Sequence, residues 1–165
     1  MNPFIQKFVD DGFFNETVGN YIEEAINKDE SIIIAGHRSA GTRNFMANLM
    51  AVTKKQYDTV QVKKPEDLEK DAKYYLIPGN PNVDFEDLIA KALKKPDSAI
   101  ISIKEPEQPV SLMKILRGFA KEGEPSSKII HQIECDKKDG VPFVAKVTAF
   151  SQNEDGKVAR EDLQF

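Results

Sequence analysis

The 165-residue chain has a single cysteine, Cys135. One thiol excludes an internal disulfide framework and a zinc site built from several cysteines, and it fits a reducing intracellular compartment. Cys135 reads as a small core residue rather than a nucleophile. Long apolar runs are also missing, and no stretch approaches the ~20 residues that a membrane-spanning helix needs. Met1–Gly12 carries its charges and apolar residues in the wrong order for a secretory signal. Nine glycines and nine prolines are an ordinary share, which excludes collagen-like and low-complexity classes. Nor is there a surplus of positive charge: 23 lysines and arginines stand against 27 aspartates and glutamates, for a net charge of −4. That balance argues against a whole-surface binder of nucleic acid or membrane. The expectation is a cytoplasmic domain without membrane insertion and without nucleic acid as its partner.

What remains is 40 % hydrophobic and 30 % charged, enough for one domain around one core. Phe4–Asn27 has helical apolar spacing, interrupted by a turn at Asp10-Asp11-Gly12, with Asn15 or Thr17 placed to cap the second piece. Phe4, Phe8, Phe13 and Phe14 read as core or docking residues. Ser31–Ala35 is a short β-branched run of buried-strand type, and Phe45, Met46, Leu49, Met50 and Val52 form a helical stripe after Gly41. Strands follow at 58–62, 74–77 and 98–103. Between them stand a charged, solvated stretch at 63–73 and a helix after Asp84, and the last of them leads to a helix at 109–121. The final third reads as extended segments at 128–135, 141–150 and 157–165, joined at the hairpin dipeptides Asp139-Gly140 and Asp155-Gly156. With no internal repeat and no long linker, the reading is one α/β domain over 1–165. It has N-terminal helices at 1–30, an α/β core at 31–121 and antiparallel strands at 128–165, around a mostly parallel sheet.

One segment carries chemistry. Between the first strand and its helix lies Gly36-His37-Arg38-Ser39-Ala40-Gly41-Thr42-Arg43, with two glycines five apart as in the nucleotide-binding P-loop. Such a loop works because glycines let successive amides curl around an anion and a helix N-terminus adds a favourable field. A lysine then neutralises phosphate, and the next hydroxyl holds magnesium. Here Thr42 stands at the lysine position and Arg43 at the hydroxyl position. The cradle survives in outline without its cation.

These residues, with Asp87-Leu88-Ile89-Ala90-Lys91-Ala92-Leu93-Lys94-Lys95-Pro96-Asp97, Ile100-Ile101, Val110–Leu116 and the ending Glu161-Asp162-Leu163-Gln164-Phe165, resemble the nucleotide-binding domain of type II and type IV secretion and pilus-assembly ATPases. The resemblance spreads over about three-quarters of the chain. It implies a RecA-like P-loop NTPase fold and an assembly with itself or with an active secretion-type motor. The departures fall on chemical positions: the family's acidic pair aligns with Lys63-Lys64, its Walker-B glutamate with Ile103, and its histidine box has no counterpart. Phosphoryl transfer works by placement and charge neutralisation, and losing one such element costs on the order of 10²–10³ in rate.

The expectation is therefore a pseudo-ATPase with no catalytic residues and no metal site. It acts as a binding or regulatory component and takes ATP or phosphate, without turnover, on Gly36–Arg43. Two alternatives stand beside it. One is a slow NTPase with Arg43 replacing the lysine and Glu105 the lost acid; the other is a purely structural interaction module. Glu105-Pro106-Glu107 reads as a charged turn rather than a metal site. The lysine pairs at 63–64, 94–95 and 137–138 sit beside acids and read as solvated surface.

Overall fold

Ser31–Ala35 is apolar at nearly every position, so the strand it forms must be covered on both faces. In the computed structural model, which describes residues 1–165, all five of its residues are buried. This strand, β1, lies inside a seven-stranded sheet with β2 (Thr59–Gln61), β3 (Tyr74–Ile77), β4 (Ala99–Lys104), β5 (Ile130–Lys138), β6 (Val141–Gln152) and β7 (Val158–Asp162). The spatial order is β2-β3-β4-β1-β5-β6-β7. The first five strands in that order are parallel, and β6 and β7 are antiparallel.

Five helices flank the sheet: α1 (Pro3–Asp10), α2 (Glu16–Asn27), α3 (Thr42–Gln56), α4 (Phe85–Leu93) and α5 (Leu112–Lys121). Right-handed crossovers dictate their sides. The chain moves from β1 through α3 to the β2 edge, then back through α4 and α5, so α3 lies on the opposite face from α4 and α5. Contacts agree: Tyr57, at the end of α3, packs on Tyr74, and Tyr21 of α2 reaches His131 on that same face. Gln152, pointing to the other face, donates to the Leu116 carbonyl of α5. Forty-three buried apolar residues form one continuous cluster through these layers, so the chain has one core.

Local chemistry sets the helix ends. Asn2, Asn15, Asp84 and Ser111 each accept an amide hydrogen of the first turn of α1, α2, α4 and α5, and each such cap contributes about 1 kcal/mol. Asn15, not Thr17, caps α2. Asp139 and Gly140 both take positive φ (52° and 78°) and close the β5–β6 hairpin, the two-residue turn that the dipeptide predicts. Phe8, Phe13, Phe14 and Phe45 stack as a four-ring cluster with centroids 5.3–5.8 Å apart, tying α1 and the turn after it to α3.

Two sequence expectations need correction. The segment 128–165 is not wholly antiparallel, because β5 lies parallel to β1, with Ile32 opposite His131 and Ile34 opposite Ile133. The reason is α5, a crossover that returns the chain to the end of the sheet where β4 began. The stretch 63–73 is not simply solvated either: Pro65–Glu69 forms a 3₁₀ turn that buries Leu68, and Asp67 accepts from the amides of Lys63 and Lys64.

A polar tie crosses between α2 and β5. The Glu30 carboxylate can only accept, so His131 Nε2–H donates to it at 2.8 Å, and His131 Nδ1 accepts from the Tyr21 hydroxyl. Burial pushes His131 below its ordinary value and outweighs the opposing pull of Glu30, while it pushes Tyr21 up to about 12. The unfolded chain therefore takes up the His131 proton first. The stability that this residue contributes is complete above about pH 6.5 and is lost as pH falls through the lower native value. Urea midpoints should drop from pH 7.5 to pH 5.5, and His131→Gln should flatten that drop. An unchanged slope in the variant would assign it to other groups.

Candidate functional site

The chain order reverses direction at the centre of the sheet. From β1 it leaves toward the β2 edge, and from β4 it leaves toward β5. In open α/β sheets the crevice at the carboxyl ends of two such strands is where ligands bind. Gly36–Gly41 follows β1 there, and Lys104-Glu105 ends β4 beside it. The Gly36 amide donates to the Lys104 carbonyl at 3.0 Å and locks the two strand ends together.

The loop is more closed than a phosphate cradle. Arg38–Ala40 forms a 3₁₀ turn in which the Ala40 amide donates to the His37 carbonyl (2.9 Å) and the Gly41 amide to the Arg38 carbonyl (3.2 Å). The Ser39 amide donates to His37 Nδ1 at 3.1 Å. Three successive amides that would face an anion are thus turned onto the loop itself. His37, Arg38 and Ser39 are exposed, Ala40 is buried, and Gly36 and Gly41 are half-buried.

The glycines have steric causes of their own. Gly36 has φ +143°, and a Cβ there would lie 2.6 Å from the Cys135 carbonyl oxygen of β5. Gly41 has φ +78°, ends the 3₁₀ turn and begins α3, with Phe13 and Pro142 packed beside it. Thr42, the first residue of α3, is wholly buried, and its Oγ1 has no hydrogen-bond partner. That orphaned hydroxyl sits where the resemblance places the lysine.

Arg43 turns to the other wall of the crevice. Its Nη2–H donates to Glu105 Oε1 at 2.7 Å and its Nε–H to Oε2 at 3.3 Å, a two-pronged pair. Glu105 is only 2 % exposed, which a residue in a charged turn would not be. The turn itself is present: the Gln108 amide donates to the Glu105 carbonyl at 2.9 Å around Pro106-Glu107. The pairing with Glu105 raises the Arg43 guanidinium further above its already high value.

Glu105 lines an open cavity of about 350 Å³, walled by Ala35, Pro106, Pro109 and Cys135 and edged by Gln132 and Glu134; of the loop only Gly36 and His37 reach it. Burial pushes the Cys135 thiol up to about 12, so it stays protonated and unreactive at neutral pH. No three His, Cys, Asp or Glu side chains cluster closely enough to hold a metal ion. Away from the crevice the lysines pair with acids: Lys91 with Asp87, Lys94 with Glu122, Lys114 with Glu86. No helix is long and apolar enough to cross a membrane.

The residues 36–43 are contiguous in sequence, and the structure keeps them together at the crevice. Sequence reasoning named Arg43 and Glu105 separately but missed that they bind each other. They stand 62 positions apart, and only the β1–β4 pairing, with Ile34 opposite Ile103, brings them together. Comparison of the chain with models of known protein families and with characterised proteins finds no match.

Proposed function

We propose that this chain is a catalytically inactive, ATPase-like domain that serves as a binding or regulatory component and takes a phosphate-type anion weakly at the β1–α3 crevice. The Arg43–Glu105 pair carries this reading. Arg43, which would replace the P-loop lysine in the active alternative, is tied to Glu105, which would replace the lost carboxylate, and so neither is free for phosphoryl transfer. Three amides folded onto the loop weaken the cradle further. The glycine loop on a central parallel strand, followed by a helix, is in keeping with a RecA-like ancestry and with the secretion-ATPase resemblance. Its partner on this reading is protein: a second copy of the chain or an active motor of that type.

A slow NTPase is the second reading, and the juxtaposition of Arg43 with Glu105 is the observation in its favour. The two separate cleanly. With ATP and magnesium, the full chain is expected to release phosphate no faster than buffer, and Glu105→Gln should leave that background unchanged. Turnover that falls tenfold or more in Glu105→Gln would establish the enzyme instead. A thermal shift with saturating phosphate or nucleotide, ~2.7 kcal/mol at a hundred times the dissociation constant, separates a binder from a purely structural module.

A further inference from the structure

We propose that the Glu105 carboxylate is a built-in occupant of the crevice's oxyanion site, an internal competitor that a single phosphate group must displace from Arg43. This rests on the reading of the crevice as an anion site and supplies its regulation.

Four observations converge on it. Glu105 is unlike the other acids in the molecule. In every other lysine or arginine ion pair the carboxylate side chain is at least 24 % exposed, whereas that of Glu105 is 1 % exposed. A buried carboxylate persists only where a specific partner compensates it. Its partner grips it with the planar fork that arginine also offers to phosphate oxygens. Arg43 is itself the second residue of a 15-residue helix, whose first-turn amides and positive end favour an anion. Within that turn the buried Thr42 hydroxyl has no partner, an unmet demand at the anion's end of the helix.

The geometry also sets the size of the competitor. The amides of Ser39, Ala40 and Gly41 bond within the loop, so the groups that would follow a triphosphate chain are withdrawn. Those at the start of α3 remain, together with Arg43. That set matches one tetrahedral oxyanion, as in inorganic phosphate or a phosphomonoester. The route in is asymmetric: the Arg43 side chain is 47 % exposed while Glu105 is sealed. An incoming anion therefore meets the open side of the guanidinium first and displaces the carboxylate from it.

Removing the acid should strengthen anion binding, and through Arg43 alone. The probe is inorganic phosphate, titrated into the ¹⁵N-labelled full chain while following the Thr42–Asn44 amides and the Arg43 Nε–H. Glu105→Gln is expected to bind phosphate at least tenfold more tightly than wild type, and adding Arg43→Ala to that variant should abolish the gain. Glu105→Met, apolar and of similar length, repeats the test should the buried amide compromise folding. Binding no tighter than wild type in both Glu105 variants would overturn the proposal, as would a gain that survives loss of Arg43. Phosphate release from ATP is scored separately. Turnover by the wild type would refute the inactive reading, while the titration alone judges the lock.

Discussion

Phe45→Ala should lower the free energy of unfolding by about 3–5 kcal/mol, the range for emptying a large aromatic site in a core. Phe45 is wholly buried and touches three other rings, those of Phe8, Phe13 and Phe14, at 5.3–5.8 Å. It lies in the first turn of α3, so the ring cluster anchors the helix end that borders the crevice. Neither α1 nor the turn after it can follow inward to fill the gap without breaking contacts of its own. Phe45→Leu keeps most of the volume and should cost about 1.5 kcal/mol or less. Urea unfolding of the two variants checks the contrast. A loss under 1 kcal/mol for the alanine variant would mean that the cluster does not anchor α3.

The second large effect is expected at Gly36. Alanine there needs φ +143° and puts a methyl group 2.6 Å from the Cys135 carbonyl oxygen. Backbone strain of about 1–3 kcal/mol then adds to a clash with a strand that is pinned on both sides by β1 and β6. We expect a total of about 3 kcal/mol or more. Gly41→Ala should cost only about 1–2 kcal/mol, because its φ is an ordinary left-handed +78° and the nearest atom to a new Cβ lies 3.4 Å away. The comparison matters because both glycines belong to the loop motif. If the two variants lose equal stability, the close approach of β5 is not what holds position 36 to glycine.

These glycines also show why the fold was more legible than the site. Apolar runs such as Ile32–Ile34 and Tyr74–Ile77 announce strands from composition alone, and Asp84 announces a helix start, because burial and capping act over a few residues. The helix expected from 109 begins only at Leu112, after the Ser111 cap. The direction of β5 was not readable, since its own pattern is the same whether it pairs parallel or antiparallel. Only the crossover through α5 decides. The spacing of Gly36 and Gly41 was the strongest chemical signal in the sequence. In the folded chain each is required by backbone geometry at its own position, one by the approach of β5 and the other by the end of a 3₁₀ turn. A phosphate ligand is not needed to explain either. The pairs that define the site's electrostatics, Arg43 with Glu105 and His131 with Glu30, span 62 and 101 positions. Nothing local in the sequence encodes them.

The placement of β1 has a consequence for biosynthesis. Its neighbours are β4 and β5, with Ile32 paired to Ile101 on one side and to His131 on the other. On a translating ribosome this strongly apolar segment of the nascent chain therefore emerges with both rims bare, and it stays so until some seventy and then a hundred further residues have been made. Partnerships this distant form late, and unpaired rims invite contact with other chains in the interval. Holdase chaperones that recognise short extended apolar peptides are expected to engage Ser31–Ala35 first, and to release it once Ile130–Lys138 has cleared the exit tunnel.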